Sequence, residues 1–312
     1  MTAPPGRSIQ IVELDDPFAG VDFSQLERSL RRPRTLIDFA LTALVSAMTL
    51  LSLVPLLSVV FMLLWRGGRR LSLQVFTELP PSALEQGGGF GNAIVGTLII
   101  VALAIIATVP IGLLTAIYLA QDKGGRLRDI VRFCAKVLTG FPSILAGVFA
   151  YGAIVLTTGG YSAFAGAAAL SILMLPTIVL TSEDAIRMVP ARMKDAAIGM
   201  GATRTQTVWM VLLPTAMPGI LTGVMLAVAR AAGETAPLLF TALFSNYWLW
   251  SNGRADLMQP TASLAVLVYN FAGQPFENQV ELAWAAALVL VMIVLAANLV
   301  GQSLSSRATQ HS

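Results

Sequence analysis

Residues 183–207 read EDAIRMVPARMKDAAIGMGATRTQT, a polar island set between two apolar spans. Pro190 stands where a first-turn proline needs no amide hydrogen, good helix formers follow it, and Gly201 stands where a left-handed C-terminal cap is wanted. The spacing predicts a helix from Pro190 to Met200 that stops and turns at Gly201. On that helix Met193, Ala196, Ala197 and Met200 form a narrow face of small and flexible apolar groups, flanked by Arg192, Lys194 and Asp195. Such a face suits a groove in another protein. A helix lying solvated among lipid headgroups satisfies the same composition.

The rest of the chain says what surrounds this island. At 312 residues, 56% hydrophobic and 12% charged, with a mean hydropathy of +0.75, the protein is too apolar for a soluble domain of its size. It is expected to be an all-α integral membrane protein. The first 35 residues are polar and include Glu13, Asp15, Asp16, Asp22 and Glu27, so no cleaved signal peptide is expected and the first span serves as an anchor. Nucleic-acid binding has no support, because no basic run is interleaved with aromatics. Cys134 is the single cysteine and is expected to pack as a small apolar group. His311 is the single histidine, near the C-terminus, which leaves no histidine-based metal cluster.

Six stretches are long enough, at about 1.5 Å per residue, to cross a hydrocarbon core of about 30 Å. They run from Leu36 to Trp65, Ala93 to Ala120, Val131 to Leu156, Tyr161 to Leu180, Thr215 to Thr241 and Leu282 to Leu304. Thr157 to Gly160 is a tight link that makes the third and fourth spans antiparallel neighbours, and Pro142 and Pro176 are expected to bend their helices. The implied organisation is a cytoplasmic tail over 1–35, a first transmembrane helix over 36–66, a membrane-spanning core over 92–304 and a short tail over 305–312. With both termini in the cytoplasm, that side receives the basic groups of Arg7 to Arg34, Lys123 to Lys136, Arg187 to Arg204, and Arg307. The opposite side receives only Arg66, Arg69, Arg70 and Arg254, so the positive-inside rule favours this orientation. Arg66 to Arg70 is the local dissent. Trp65, Trp248, Trp250 and Trp284 would then share the outer interface. Of the two outer segments, Arg66 to Asn92 and Ala242 to Glu281, the second holds an apolar run, Ala262 to Phe271, that is too short to span and reads as an interfacial or re-entrant helix.

No ATP-binding loop is present, since none of Lys123, Lys136 and Lys194 follows a glycine, and ATP-driven work would need a separate subunit. There is no Gly-x-Ser-x-Gly elbow and no histidine base, so the chain is not expected to be an enzyme and has no catalytic residues to name. The remaining decisive stretch is 229–239, ARAAGETAPLL, inside the fifth span. Arg230 and Glu234 are four apart and would share a helix face. A lone arginine at membrane depth costs about 2.5–3.5 kcal/mol, so it is paired or faces a wet cavity. An ion pair that only braces the bundle, and a pair that serves a pathway, both fit these residues.

Two sets of residues resemble known families. Asp195-Ala196-Ala197, Gly201-Ala202 and then Leu213-Pro214 resemble the cytoplasmic motif of ABC importer permeases, in which this segment is the coupling helix that docks on the ATPase. That family usually has Glu at the first position, and Asp195 is a methylene shorter. The run from Arg230 through Gly233-Glu234-Thr235-Ala236-Pro237-Leu238-Leu239 resembles the fifth-helix signature of the A-type subunit of phosphate-specific ABC permeases. Gly96-Thr97, Pro142-Ser143-Ile144, Pro260-Thr261-Ala262-Ser263-Leu264, Tyr269-Asn270 and Leu282-Ala283-Trp284-Ala285 are similar to the same subunit, so the resemblance covers about Gly89 to Val300.

The resemblance implies a type I ABC importer permease fold with six transmembrane helices, in a bacterial cytoplasmic (inner) membrane. It implies a paralogous C-type permease, two copies of an ATPase that hold ATP and magnesium, and a soluble phosphate-binding protein outside; this chain would bind no cofactor and no metal itself. Asp195, Ala196, Ala197 and Gly201 would couple to the ATPase. Arg230 would meet phosphate, with Glu234 keeping the anion from binding too tightly to leave. A permease for sulfate or molybdate, and a secondary transporter or anion channel gated by Arg230 and Glu234, are the competing readings.

Overall fold

The computed structural model describes residues 33–121, 124–251 and 254–310. The expectations for residues 1–32, for Lys123 and for His311 lie outside the described residues, as does that for the side chain of Arg307. The chain divides into two units, Met1–Val59 and Val60–Ser312. Most of the first long helix, α1 (Pro33–Met62), belongs to the first unit. From Phe39 to Val59 it carries no charge on any face, the pattern of a helix that lipid or protein must surround. The Thr49 hydroxyl donates to the Val45 carbonyl and the Ser52 hydroxyl to that of Thr49, so these polar groups need no water.

The second unit opens with the last turns of the same helix, which pass through a π-helical turn, Leu63–Gly67, and end at Arg70. It continues with α2 (Leu73–Thr77), α3 (Gly91–Gln121), α4 (Arg126–Thr139), α5 (Ser143–Thr158), α6 (Ala163–Arg187) and α7 (Ala191–Gly199). It closes with α8 (Arg204–Ala232), α9 (Ala236–Thr241), α10 (Leu264–Ala272) and α11 (Glu277–Gln310). A two-residue hairpin, β1 (Trp250–Ser251) with β2 (Arg254–Ala255), lies in the segment before α10.

The hub is α6, which packs against α3, α4, α5, α8 and α9. Its first half presents Ala163, Ala165, Gly166, Ala167 and Ala169, all buried, and small residues let helix backbones approach closely where apolar lipid gives no hydrophobic drive. On the facing helix α8, a Cβ added at Gly223 would overlap the Thr181 hydroxyl of α6. Pro176 sits within α6 without breaking it.

Among the described residues five helices are long and apolar enough to cross a membrane, and α4 with α5 makes a sixth if that bent pair counts as one span. The expected third span, Val131 to Leu156, is a sharply bent pair of helices, broken at Pro142 where a bend was expected. The chain turns by 108° between α4 and α5, at Gly140 to Pro142, because proline disfavours a helical residue before it and cannot itself donate. Helix α4 is amphipathic: Val131 and Ala135 pack inward while Leu127, Ile130, Phe133 and Val137 are exposed. Cys134 lies on the outward side and is exposed rather than packed. The fourth span runs on past Leu180 to Arg187. The fifth ends at Ala232 instead of Thr241, since Gly233 is a poor helix former and Pro237 takes an early position in α9. The short apolar run of the outer segment is α10, whose Leu264, Ala265, Val266, Leu267 and Phe271 are buried against α3 and α11. Non-spanning backbone of this kind is tolerated where protein encloses it.

Candidate functional site

The stretch 183–207 builds one end of the bundle. Pro190 (φ −56°, ψ 131°) caps α7 from just outside, so the helix runs from Ala191 to Gly199 instead of Pro190 to Met200. Gly201 adopts φ +88°, as its cap position requires. The Gly201 amide donates to the Ile198 carbonyl (2.9 Å) and the Ala202 amide to that of Ala197 (3.0 Å), which is the bond pair of a Schellman turn. Thr203 and Gln206 then form a reciprocal capping box that starts α8 two residues later. The predicted apolar face is split: Ala197 is 2% exposed and fastens α7 to the bundle, while Met193, Ala196, Ile198 and Met200 are exposed. Asp195 is exposed as well and lines a cavity of about 730 Å³ with Tyr118, Gln121, Lys194 and Arg204.

Behind this surface lies a group that sequence reasoning missed. Glu183 of α6 is 4% exposed and is held by two arginines, Arg132 of α4 and Arg187 one turn along. Arg132 Nε donates to Glu183 Oε2 at 3.3 Å and its terminal nitrogen to Oε1, a two-pronged grip, and Arg187 adds a 3.0 Å contact to Oε1. Arg187 also donates to the Leu119 carbonyl at the end of α3 (3.2 Å), so one carboxylate ties together three helices that converge beside α7. The four-residue spacing of Glu183 and Arg187 was a usable signal. Arg132 carried none while α4 was read as part of a span.

At the far end of α8 the run 229–239 forms a break rather than a continuous helix. Arg230 lies in the last turn of α8, and the Gly233 and Glu234 amides close that turn onto the Arg230 and Ala231 carbonyls at 3.1 and 3.2 Å. The chain then restarts as α9, packed on α5 where Pro237 meets Gly147. Motif residues far apart in sequence hold the break in place. The Ser162 amide donates to the Thr241 carbonyl (3.0 Å) and the Thr261 amide to that of Ala242 (2.9 Å). Gly96 lies against Ala262 so closely that a Cβ would overlap its carbonyl oxygen, and Thr97 Oγ1 accepts from the Leu264 amide at 2.8 Å.

Arg230 and Glu234 do meet, although Glu234 lies past the end of the helix. Arg230 Nε donates to Glu234 Oε1 at 3.3 Å, with the arginine side chain 49% exposed and the glutamate 16%. The two terminal guanidinium nitrogens have no protein partner among the described residues. At about 1.5 Å per residue, Arg230 stands roughly 39 Å along α8 from Arg204, in the half of the span away from α7. A charged side chain open at that end of the span can meet water, a partner protein or an anion.

The charged pair beside the helix break and the exposed face of α7 thus stand at opposite ends of α8. Residues 108–310 match the family described as binding-protein-dependent transport system inner membrane component, and the chain belongs to that family. Relatives named "Phosphate transport system permease protein PstA" include those of Yersinia pestis, 35% identical over 81% of this chain and 86% of that protein, and Haemophilus influenzae, 38% identical over 77% and 84%. The "Phosphate transport system permease protein PstA 1" of Mycobacterium tuberculosis is 32% identical over 97% of both chains. Among solved structures, a bacterial alginate ABC transporter aligns with a TM-score of 0.62 at 16% identity, covering 87% of this chain and 96% of that one. The inward-facing MetNI methionine ABC transporter aligns with a TM-score of 0.56 at 20% identity, covering 69% and 96%. These structural likenesses establish the fold: that of an ABC importer permease.

Proposed function

We propose that the chain is the membrane-spanning permease subunit of an ATP-driven importer that moves inorganic phosphate across the cytoplasmic membrane. The observation that carries the reading is the half-open guanidinium of Arg230, anchored through Nε and presenting both terminal nitrogens. A tetrahedral oxyanion can accept two parallel bonds from such a fork. The relatives named as phosphate permeases, and the match of the 229–239 run to that subunit type, point the same way.

An ATPase dimer binds at α7, with Met193, Ala196 and Met200 as the apolar contact and Asp195 beside them. Its closure moves α7, and the Glu183 group hands that movement to α3, α4 and α6. A paralogous C-type permease completes the pathway, and a soluble phosphate-binding protein delivers substrate at the end away from α7. Both termini lie in the cytoplasm, on the same side as α7. ATP and magnesium stay with the ATPase.

Purification of the chain with its membrane neighbours, followed by uptake assays with phosphate, sulfate and molybdate, tests the reading. An ATPase in the complex and uptake of phosphate alone are expected. Uptake of sulfate or molybdate at equal rates, or a complex without an ATPase, would contradict it.

A further inference from the structure

The end of the second unit opposite α7 holds a pocket of about 470 Å³ lined by Trp65, Arg66, Arg69, Arg70, Glu277, Val280, Glu281 and Trp284. The arginines are the ones that run against the positive-inside pattern, and the structure explains how they come together. The π-helical turn over Leu63–Gly67 ends at a buried Gly67, where an added Cβ would stand 2.6 Å from the Trp284 carbonyl oxygen. That close approach to α11 is open only to glycine, and π turns often mark functional positions. Arg66, Arg69 and Arg70 then fall on one face at spacings of three and four.

The three are not equivalent. Arg70 is engaged by the protein: its terminal nitrogen donates to Asn278 Oδ1 (2.9 Å) and to the Gly87 carbonyl (3.3 Å), and its Nε lies 3.8 Å from Glu281 Oε2. Arg66 rests its guanidinium 5.7 Å from the centre of the Trp284 ring, a contact that uses none of its N–H donors, and it has no hydrogen bond or ion pair among the described residues. Arg69 has no hydrogen bond or ion pair among the described residues, and Glu277, though in the pocket, pairs with none of the three. With Glu281 facing Arg70, the pocket keeps a net positive charge and two arginines with unused forks. Trp65, stacked on Phe61 at 6.1 Å, and Trp284 give it an aromatic edge.

We infer that this pocket binds a phosphate-bearing anion through Arg66 and Arg69, either the phosphodiester headgroup of an anionic lipid or free inorganic phosphate. Two guanidinium forks match the oxygens of either group, and the tryptophan edge suits an interfacial position. The inference is independent of Arg230, which lies on another helix.

The test uses the intact transporter complex in nanodiscs, comparing the parent with the double variant Arg66→Gln, Arg69→Gln. One arm counts phosphatidylglycerol molecules retained by native mass spectrometry, and the other measures radiolabelled inorganic phosphate bound in phosphatidylcholine discs. The double variant is expected to lose one tightly held phosphatidylglycerol per complex, or to bind phosphate about ten-fold more weakly, as loss of charge-assisted bonds implies. The arm that changes identifies the source of the phosphate group. Equal retention and equal binding in both proteins would overturn the inference. If the double variant fails to assemble, Glu277→Gln removes an unpaired acid from the pocket without touching an arginine. It should strengthen whichever probe binds, and no change in either probe would overturn the inference equally.

Discussion

Two arginine–carboxylate groups in this protein are built to opposite ends. At Glu183 the carboxylate is buried, both arginines point at it, and one of them also reaches a main-chain carbonyl on a third helix. At Arg230 the carboxylate holds a single nitrogen and half of the arginine side chain stays open. The first arrangement spends its carboxylate on two arginines from different helices and joins those helices. The second joins nothing except its own helix end, so its open donors are explained by what they face.

The comparison breaks most readily at Glu183. Glu183→Gln leaves two partly exposed arginines without their buried counter-charge, and should cost about 3 kcal/mol. Heating the detergent-purified complex and following its size-exclusion peak should show a clear fall in the midpoint. An unchanged midpoint would mean that the network does not bind α3, α4 and α6 together. Next in size is Gly96→Ala, where the added methyl meets the Ala262 carbonyl and the strain should reach about 1–3 kcal/mol. The same thermal assay reads it, and a neutral result would show that the helix break near α9 is not held by this contact.

Gly201→Val comes third, with about 1–2 kcal/mol of strain from the +88° φ, confined to the turn after α7. The complex should still assemble while phosphate-stimulated ATP hydrolysis falls. Normal stimulation would separate α7 from the ATPase stroke. The smallest effect on stability is expected for Arg230→Ala, about 0.5 kcal/mol or less, because the pair is partly exposed and local. A loss as large as that of Glu183→Gln would erase the distinction between the two groups.

Much of this was legible in the residues themselves. Helix α7, its left-handed glycine and the pairing of Arg230 with Glu234 follow from local chemistry: a proline, a cap position and a four-residue spacing. The bend between α4 and α5 was signalled by Pro142, but its 108° size was not, since a hydropathy reading runs through Val131 to Leu156 without a break. Once α4 was folded into a span, Cys134 was assigned to the interior and Arg132 lost its role. The split of the α7 face could not be read from periodicity, because Ala196 and Ala197 are both small and only tertiary packing decides which turns inward. The end of α8 at Ala232 was signalled by Gly233 and Pro237 together, but an apolar run on either side masked it.

The most direct test of the central claim is uptake of radiolabelled phosphate by proteoliposomes carrying the double variant Arg230→Leu, Glu234→Leu, normalised to assembled complex. With both charges removed, no stranded carboxylate complicates folding. If the open guanidinium serves the pathway, uptake should fall by roughly ten- to hundred-fold while the complex assembles normally, with Arg230→Lys falling in between. Near-parental uptake by the double variant would contradict the account, and would make Arg230 and Glu234 a brace like the group at Glu183.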